Sequence, residues 1–293
     1  MSELSQILLR FALYLDLMLV FGLGLFGLYG LKAAERTLLN FKRLLGCTAG
    51  LGVLLSIASM LSITQAMSGA TDWPTLWPHL YMMLAQTDLG WTACLRLAAL
   101  VLVAFSASLH LATLFGGVAL VTLMWSGHGA MHEGAQGVWH MLSDGAHLLA
   151  AAGWVGALAA FGLLLMRASV PDARRVEALA AALAGFERIG AGFVAVLIVS
   201  GVANYLWVVG PNLDGLTGGI YALLLSLKLG LFGVMLGLAA LNRFHLTPFL
   251  QRAVAAGDTA PAIAALRRSM ALEFGAVVLI LGLVAWLGTL SPV

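Results

Sequence analysis

Eight apolar segments of about 20 residues follow one another along this chain, and each is long enough to cross a hydrocarbon core of roughly 30 Å as a helix. Hardly any strand-like alternation interrupts them. That pattern excludes a membrane barrel and leaves the α-helix as the structure that satisfies its own backbone inside lipid. Composition agrees: 61% of the 293 residues are apolar and 10% are charged, against roughly 25% charge in soluble domains. The expected fold is an all-α integral membrane protein with about eight transmembrane helices in one bundle, a single polytopic membrane domain over residues 1–293 surrounded by the lipid bilayer. Arg10 leads straight into the first span, so that span is expected to stay rather than be removed as a signal.

The spans fall at about 10–31, 44–66, 90–109 and 111–127, then from the 140s to Met166, and at about 189–209, 220–241 and 270–290. Twelve of the fifteen lysines and arginines fall in the segments between alternate spans. Arg10 lies at the opposite side, and Arg96 and Lys228 lie within spans. Because positive residues in short loops set orientation, both termini are expected on the external side of the membrane. Asp16 and Glu273 are the candidate partners for the two intramembrane cations. Cys47 and Cys94 begin successive spans, so they lie too far apart for a disulfide. In the connection before the third span, Asp72 can cap a short helix with Pro74 in its first turn and Trp73, Trp77 and Tyr81 at the interface.

Between spans four and five, His128, His132, His140 and His147 occur within twenty residues, with Met131, Glu133 and Asp144 among them. Imidazole suits copper in both valences and thioether favours Cu(I), so mixed His and Met ligation points to copper more than to zinc. His140, Asp144 and His147 have spacings of four and three, which places them on one face of a helix, and Ala151 and Trp154 extend that stripe inward. The metal-handling centre is therefore expected within about 120–210. Its ligands would be His128, Met131, His132 and His140 on an exposed loop and Asp144 and His147 below the surface, with Glu133, His79 and Trp154 as accessory residues. A lone interfacial histidine is commonly a hydrogen-bonded anchor, which is the plain reading of His79 and His245. Gly201, Asn204 and Tyr205 either line a cavity or serve helix packing.

Several stretches resemble the CopD family of bacterial copper-resistance inner-membrane proteins. They are Gly127-His128-Gly-Ala, Asp144-Gly-Ala-His147 continuing to Trp154-Val-Gly156-Ala-Leu, Arg188 through Gly201-Val-Ala-Asn204, and Tyr221 to Lys228 with Leu241-Asn242-Arg243. Ala157 departs from the family's Trp-x-Gly-Gly-Leu run, a small-for-small change. The resemblance implies a bacterial inner-membrane protein, its external side and both termini periplasmic, that handles copper arriving in the periplasm and takes it across the membrane. It also implies a separate periplasmic partner of the CopC type, because no such domain is attached.

The expected function is thus copper binding and translocation in copper homeostasis and resistance, with Cu(I) or Cu(II) as the ion. No enzyme activity and no nucleic-acid partner are expected. No Walker-type phosphate loop occurs, so movement would follow the gradient, the potential or coupled protons. Two alternatives stand beside this reading. One is a haem b-binding redox protein, a cupric or quinone reductase, with paired histidines such as His79 and His147 on separate spans. The other is a non-transporting subunit that presents copper or docks a periplasmic partner.

Overall fold

The computed structural model describes residues 3–126, 134–166, 173–211 and 216–290. Among the described residues all regular structure is helical. The helices are α1 (Glu3–Tyr29), α2 (Phe41–Ser68), α3 (Trp73–Gln86), α4 (Asp88–Phe105), α5 (Leu109–Val121), α6 (Gly134–Met166), α7 (Ala173–Val208), α8 (Gly219–Leu241), α9 (Thr247–Ala256) and α10 (Ala260–Leu287). Eight of them are long and apolar enough to cross a membrane, α5 counted with the 3₁₀ turn Thr122–Ser126 and α8 with α9. The eight-span expectation therefore holds. Their outer surface is apolar, with Leu54, Leu95, Val199 and Leu223 exposed as lipid-facing side chains.

Local chemistry explains the breaks between helices. Asp72 caps α3 by accepting from the Thr75 amide at 3.0 Å, which holds its carboxyl below the usual carboxylate range, and Pro74 occupies the first turn as expected. Trp73, Trp77 and Tyr81 are exposed on that helix, the two tryptophan rings 5.7 Å apart. At 14 residues α3 is too short to span, and it packs on α2 and α4 through Leu80 and Met83. After α8 the chain tightens through a π-helical turn, Asn242–Leu246, before α9. Gly257, at φ 76°, then ends α9 in a left-handed cap, a backbone conformation that favours glycine.

Two sequence boundaries move. Helix α6 runs for 33 residues and α7 for 36, both longer than hydropathy indicates, because their ends continue as helix past the apolar window. Arginines show which helix ends share a side. Arg174 donates to the Ala34 carbonyl at 3.0 Å, Arg175 to Leu38 at 3.3 Å and Arg267 to Leu165 at 2.7 Å. These bonds gather the basic connections at one end of the bundle. At the other end Arg10 donates to the carbonyls of Gly288 (2.9 Å) and Ser126 (3.3 Å), tying the start of α1 to the end of α10.

Helices α1 and α6 form the enclosed axis, while α7 and α8 are largely open to lipid. One hydrophobic cluster runs outward from them, with Leu17 and Phe26 of α1, Phe161 and Leu164 of α6, Leu179 of α7 and Leu266 of α10 among its most buried members. The α1–α6 contact is made backbone to backbone at Gly22 and Gly156. A methyl group at Gly22 would overlap the Ala152 carbonyl and the Gly156 backbone, and one at Gly156 would overlap Gly22. Small residues let membrane helices approach this closely, and the gain is dispersion contact along the seam. Overpacking typically costs about 1–3 kcal/mol, and here only backbone is available to move. Gly156→Val should therefore lower the thermal midpoint of the purified protein by several degrees, whereas Gly162→Ala, which meets nothing within 4 Å, should leave it unchanged.

Candidate metal centre

Within α6 the predicted stripe is present. His140, Asp144, His147 and Ala151 line one cavity of about 240 Å³ near the Arg10 end, closed by Arg10 and Tyr14 of α1, Asn204 of α7, and Tyr221 and Lys228 of α8. The structure thus brings together three of the proposed ligands. His128, Met131, His132 and Glu133 lie outside the described residues. Among the described residues no group of three or more His, Cys, Asp or Glu side chains is arranged to hold a metal ion, so this cavity provides at most part of a coordination sphere.

His147 is the most constrained of the three. Its Nδ1 lies 2.9 Å from Ser200 Oγ, and that hydroxyl donates its one proton to the Val196 carbonyl at 2.5 Å. With that proton directed to the carbonyl, Ser200 Oγ accepts from the Nδ1–H tautomer of His147, the tautomer that leaves the Nε2 lone pair for a ligand. A second-shell bond of this kind orients metal-binding histidines generally. Asp144 accepts from Asn204 Nδ2 at 3.5 Å, while Asn204 Oδ1 is buried without a hydrogen-bond partner. The charges acting on Asp144 are those of Lys228 and Arg10. Neither Asp16 nor Glu273 pairs with an intramembrane cation among the described residues. Arg96 donates instead to Thr122 Oγ1 at 2.8 Å, and Glu273 accepts from Asn242 Nδ2.

His140 departs from expectation. It is 2% exposed and its ring stacks on Trp207 at 6.2 Å, so it belongs to the helix interior and not to an exposed loop. The reason is the early start of α6, which carries His140 into the bundle beside α7. His79 is exposed on α3, its Nδ1 2.9 Å from the Thr75 carbonyl, and it lines neither this cavity nor the next.

Two further cavities continue inward. A larger, apolar one of about 430 Å³ shares His147, Ala151 and Lys228 with the first and reaches Trp154, Phe232 and Met235. A small one of about 50 Å³, near the basic end, begins at Trp154 and is lined by Glu187, Asn242, Arg243, Met270 and Glu273. Trp154 is 5% exposed and separates the two. Phe186 stands edge-on to it at 5.9 Å and to Phe161 at 5.5 Å, so an aromatic plug closes the middle of the bundle. Buried polar atoms without partners occur in all three spaces: Asn204 Oδ1, Trp154 Nε1 and Asn242 Oδ1. At the inner end Arg243 lies 3.6 Å from Glu187.

Sequence reasoning did not find Ser200, Arg10 or Tyr221 as parts of this site. Ser200 lies four residues before Asn204, one turn away on the same face, a signal available only once both are known to face α6.

Residues 1–138 match the family model of the copper resistance protein D-like N-terminal domain, and residues 180–287 match that of copper resistance protein D. Copper resistance protein D of Pseudomonas syringae pv. tomato is 50% identical over 304 residues, covering 100% of this chain and 98% of that protein. Inner membrane protein YebZ of Escherichia coli (strain K12) is 29% identical over 303 residues, covering 100% of both. No solved structure matches the chain. The stripe from Asp144 to Trp154 falls between the two family-model segments and inside the full-length likeness. The chain is a multi-pass membrane protein that belongs to the copper resistance protein D family.

Proposed function

We propose that the protein binds copper ions at the Arg10 end of α6 and moves them across the bacterial inner membrane, with that end and both termini in the periplasm. The observation that carries this reading is the series of three cavities, joined first by His147 and Lys228 and then by Trp154. Capture falls to His128, Met131 and His132, with Glu133 beside them and a separate periplasmic protein of the CopC type as donor. His140, Asp144 and the Nε2 of His147 receive the ion inside the bundle. Lys228 is a built-in cation of this cavity and competes with the incoming ion for the field of Asp144. Trp154 and its aromatic neighbours hold the passage shut, and Met270, Asn242 and Glu273 provide soft and hard donors beyond it.

Replacing His128 and His132 together by alanine should abolish high-affinity copper binding by the purified protein, and unchanged binding would refute the capture site. Uptake into proteoliposomes tests translocation. Asp144→Asn should reduce copper uptake roughly tenfold or more, the range seen when groups that hold or orient a metal are lost. Wild-type vesicles that bind copper but accumulate none would convert the reading to a copper-presenting or docking subunit. An optical spectrum of the same sample separates the redox alternative, since a Soret band would assign the buried histidines to haem.

A further inference from the structure

Away from the route just described, the bundle holds another polar cavity, of about 200 Å³, between α1, α2 and α4 at the Arg10 end. Arg10, Arg96, Ser56, Ser59 and Ser62 line it, and no aspartate or glutamate does. Arg96 is 4% exposed, and its Nε donates to Thr122 Oγ1, whose own proton goes to the Ala119 carbonyl. No carboxylate among the described residues lies within ion-pairing distance of it. Asp16 is turned elsewhere, toward Gly52, where a methyl group would meet Asp16 Oδ2 at 2.6 Å. Neither terminal nitrogen of Arg96 has a hydrogen-bond partner among the described residues, and the guanidinium faces the cavity.

A guanidinium this deep in a membrane bundle is costly without a counter-ion, because buried charges are paired. Here Ser59, Ser62 and the second arginine supply donors or positive charge, the Ser56 proton is spent on the Gly52 carbonyl, and no carboxylate on the wall supplies the negative partner. We propose that this cavity binds a small inorganic anion of chloride size, held by the Arg96 guanidinium and the hydroxyls of Ser59 and Ser62. Ser59 stands nine residues from the outer end of α2 and Arg96 eight from that of α4, so both lie about 12–14 Å down their helices at 1.5 Å per residue. Arg10 forms a wall of both this cavity and the one containing Asp144. An anion at Arg96 therefore offsets the positive field that Arg10 projects toward an incoming cation.

The test uses the full-length protein without copper, in nanodiscs of zwitterionic lipid in gluconate buffer. Adding chloride should raise the thermal midpoint saturably and broaden the chloride NMR line, and Arg96→Gln should lose both responses. Ser59→Asp places a carboxylate beside the guanidinium; it should be at least as stable as wild type in gluconate and no longer respond to chloride. An absent response in wild type, or an equal response in either variant, overturns the proposal. So does stabilisation by phosphatidylglycerol that chloride cannot reproduce, since that result assigns the site to a lipid phosphate. Because copper takes no part, this outcome is independent of copper binding and uptake.

Discussion

The arrangement of the bundle depends on the backbone contact between α1 and α6 at Gly22 and Gly156. Phe26 and Phe161, each about one turn further along, meet edge to face at 5.2 Å, so the two helices run parallel. Residues one to three turns before the contact therefore come level: Met18, Tyr14 and Arg10 on α1 with Ala151, His147 and Asp144 on α6. All six line the outer cavity, and Met18, His147 and Ala151 also line the middle one. A wider α1–α6 separation would enlarge those cavities and part the Arg10 charge from Asp144. Packing of small residues, which in lipid replaces the hydrophobic drive of water, thus sets the electrostatics of the site.

The intramembrane ionisable groups follow from the same constraint. None can be left in hydrocarbon at low cost; Asp16 Oδ2 is buried without a hydrogen-bond partner, and the others find different solutions. Arg10 gives its two terminal nitrogens to helix-end carbonyls while its Nε is buried without a partner, Glu273 accepts from Asn242, and Arg96 uses a threonine hydroxyl for one nitrogen only. Lys228 and Asp144 face one another across the outer cavity and interact through their charges. Short ion pairs would have been the simplest answer for structure alone. Their absence at Arg96 and Asp144 among the described residues leaves charged groups turned toward cavities, where ligands can complete them.

Apolar run length made the eight spans legible, because the bilayer imposes that length directly. The faces of α6 were equally legible, since spacings of four and three place His140, Asp144 and His147 on one stripe whatever surrounds them. The partners were not. Periodicity says which residues share a face and nothing of what stands opposite, so Ser200, Tyr221 and Arg10 stayed out of sight, and Asp16 and Glu273 were matched to cations they do not meet. His140 was misplaced for another reason: hydropathy marks where a helix enters lipid, and α6 begins before that point. The π-helical turn that presents Asn242 to Glu273 leaves no mark in periodicity at all, because it lies at the end of an already regular helix.

The middle cavity bears on the charge that cargo on the proposed route can carry. On that route an ion leaving His147 Nε2 would enter a space walled by Leu197, Val277, Ile280 and Leu281, which Met18, Met235 and Lys228 also line. Carboxylates are missing from that wall, so a divalent ion would lose hydration there without gaining an anionic ligand, a costly transfer in low dielectric. A monovalent ion loses far less, since the cost of desolvation grows with the square of the charge, and thioether ligation favours Cu(I) over Cu(II). The histidine and carboxylate donors of the outer cavity accept either valence. Selection between the two valences on this route therefore falls to the apolar step between His147 and Trp154 rather than to the ligands that precede it.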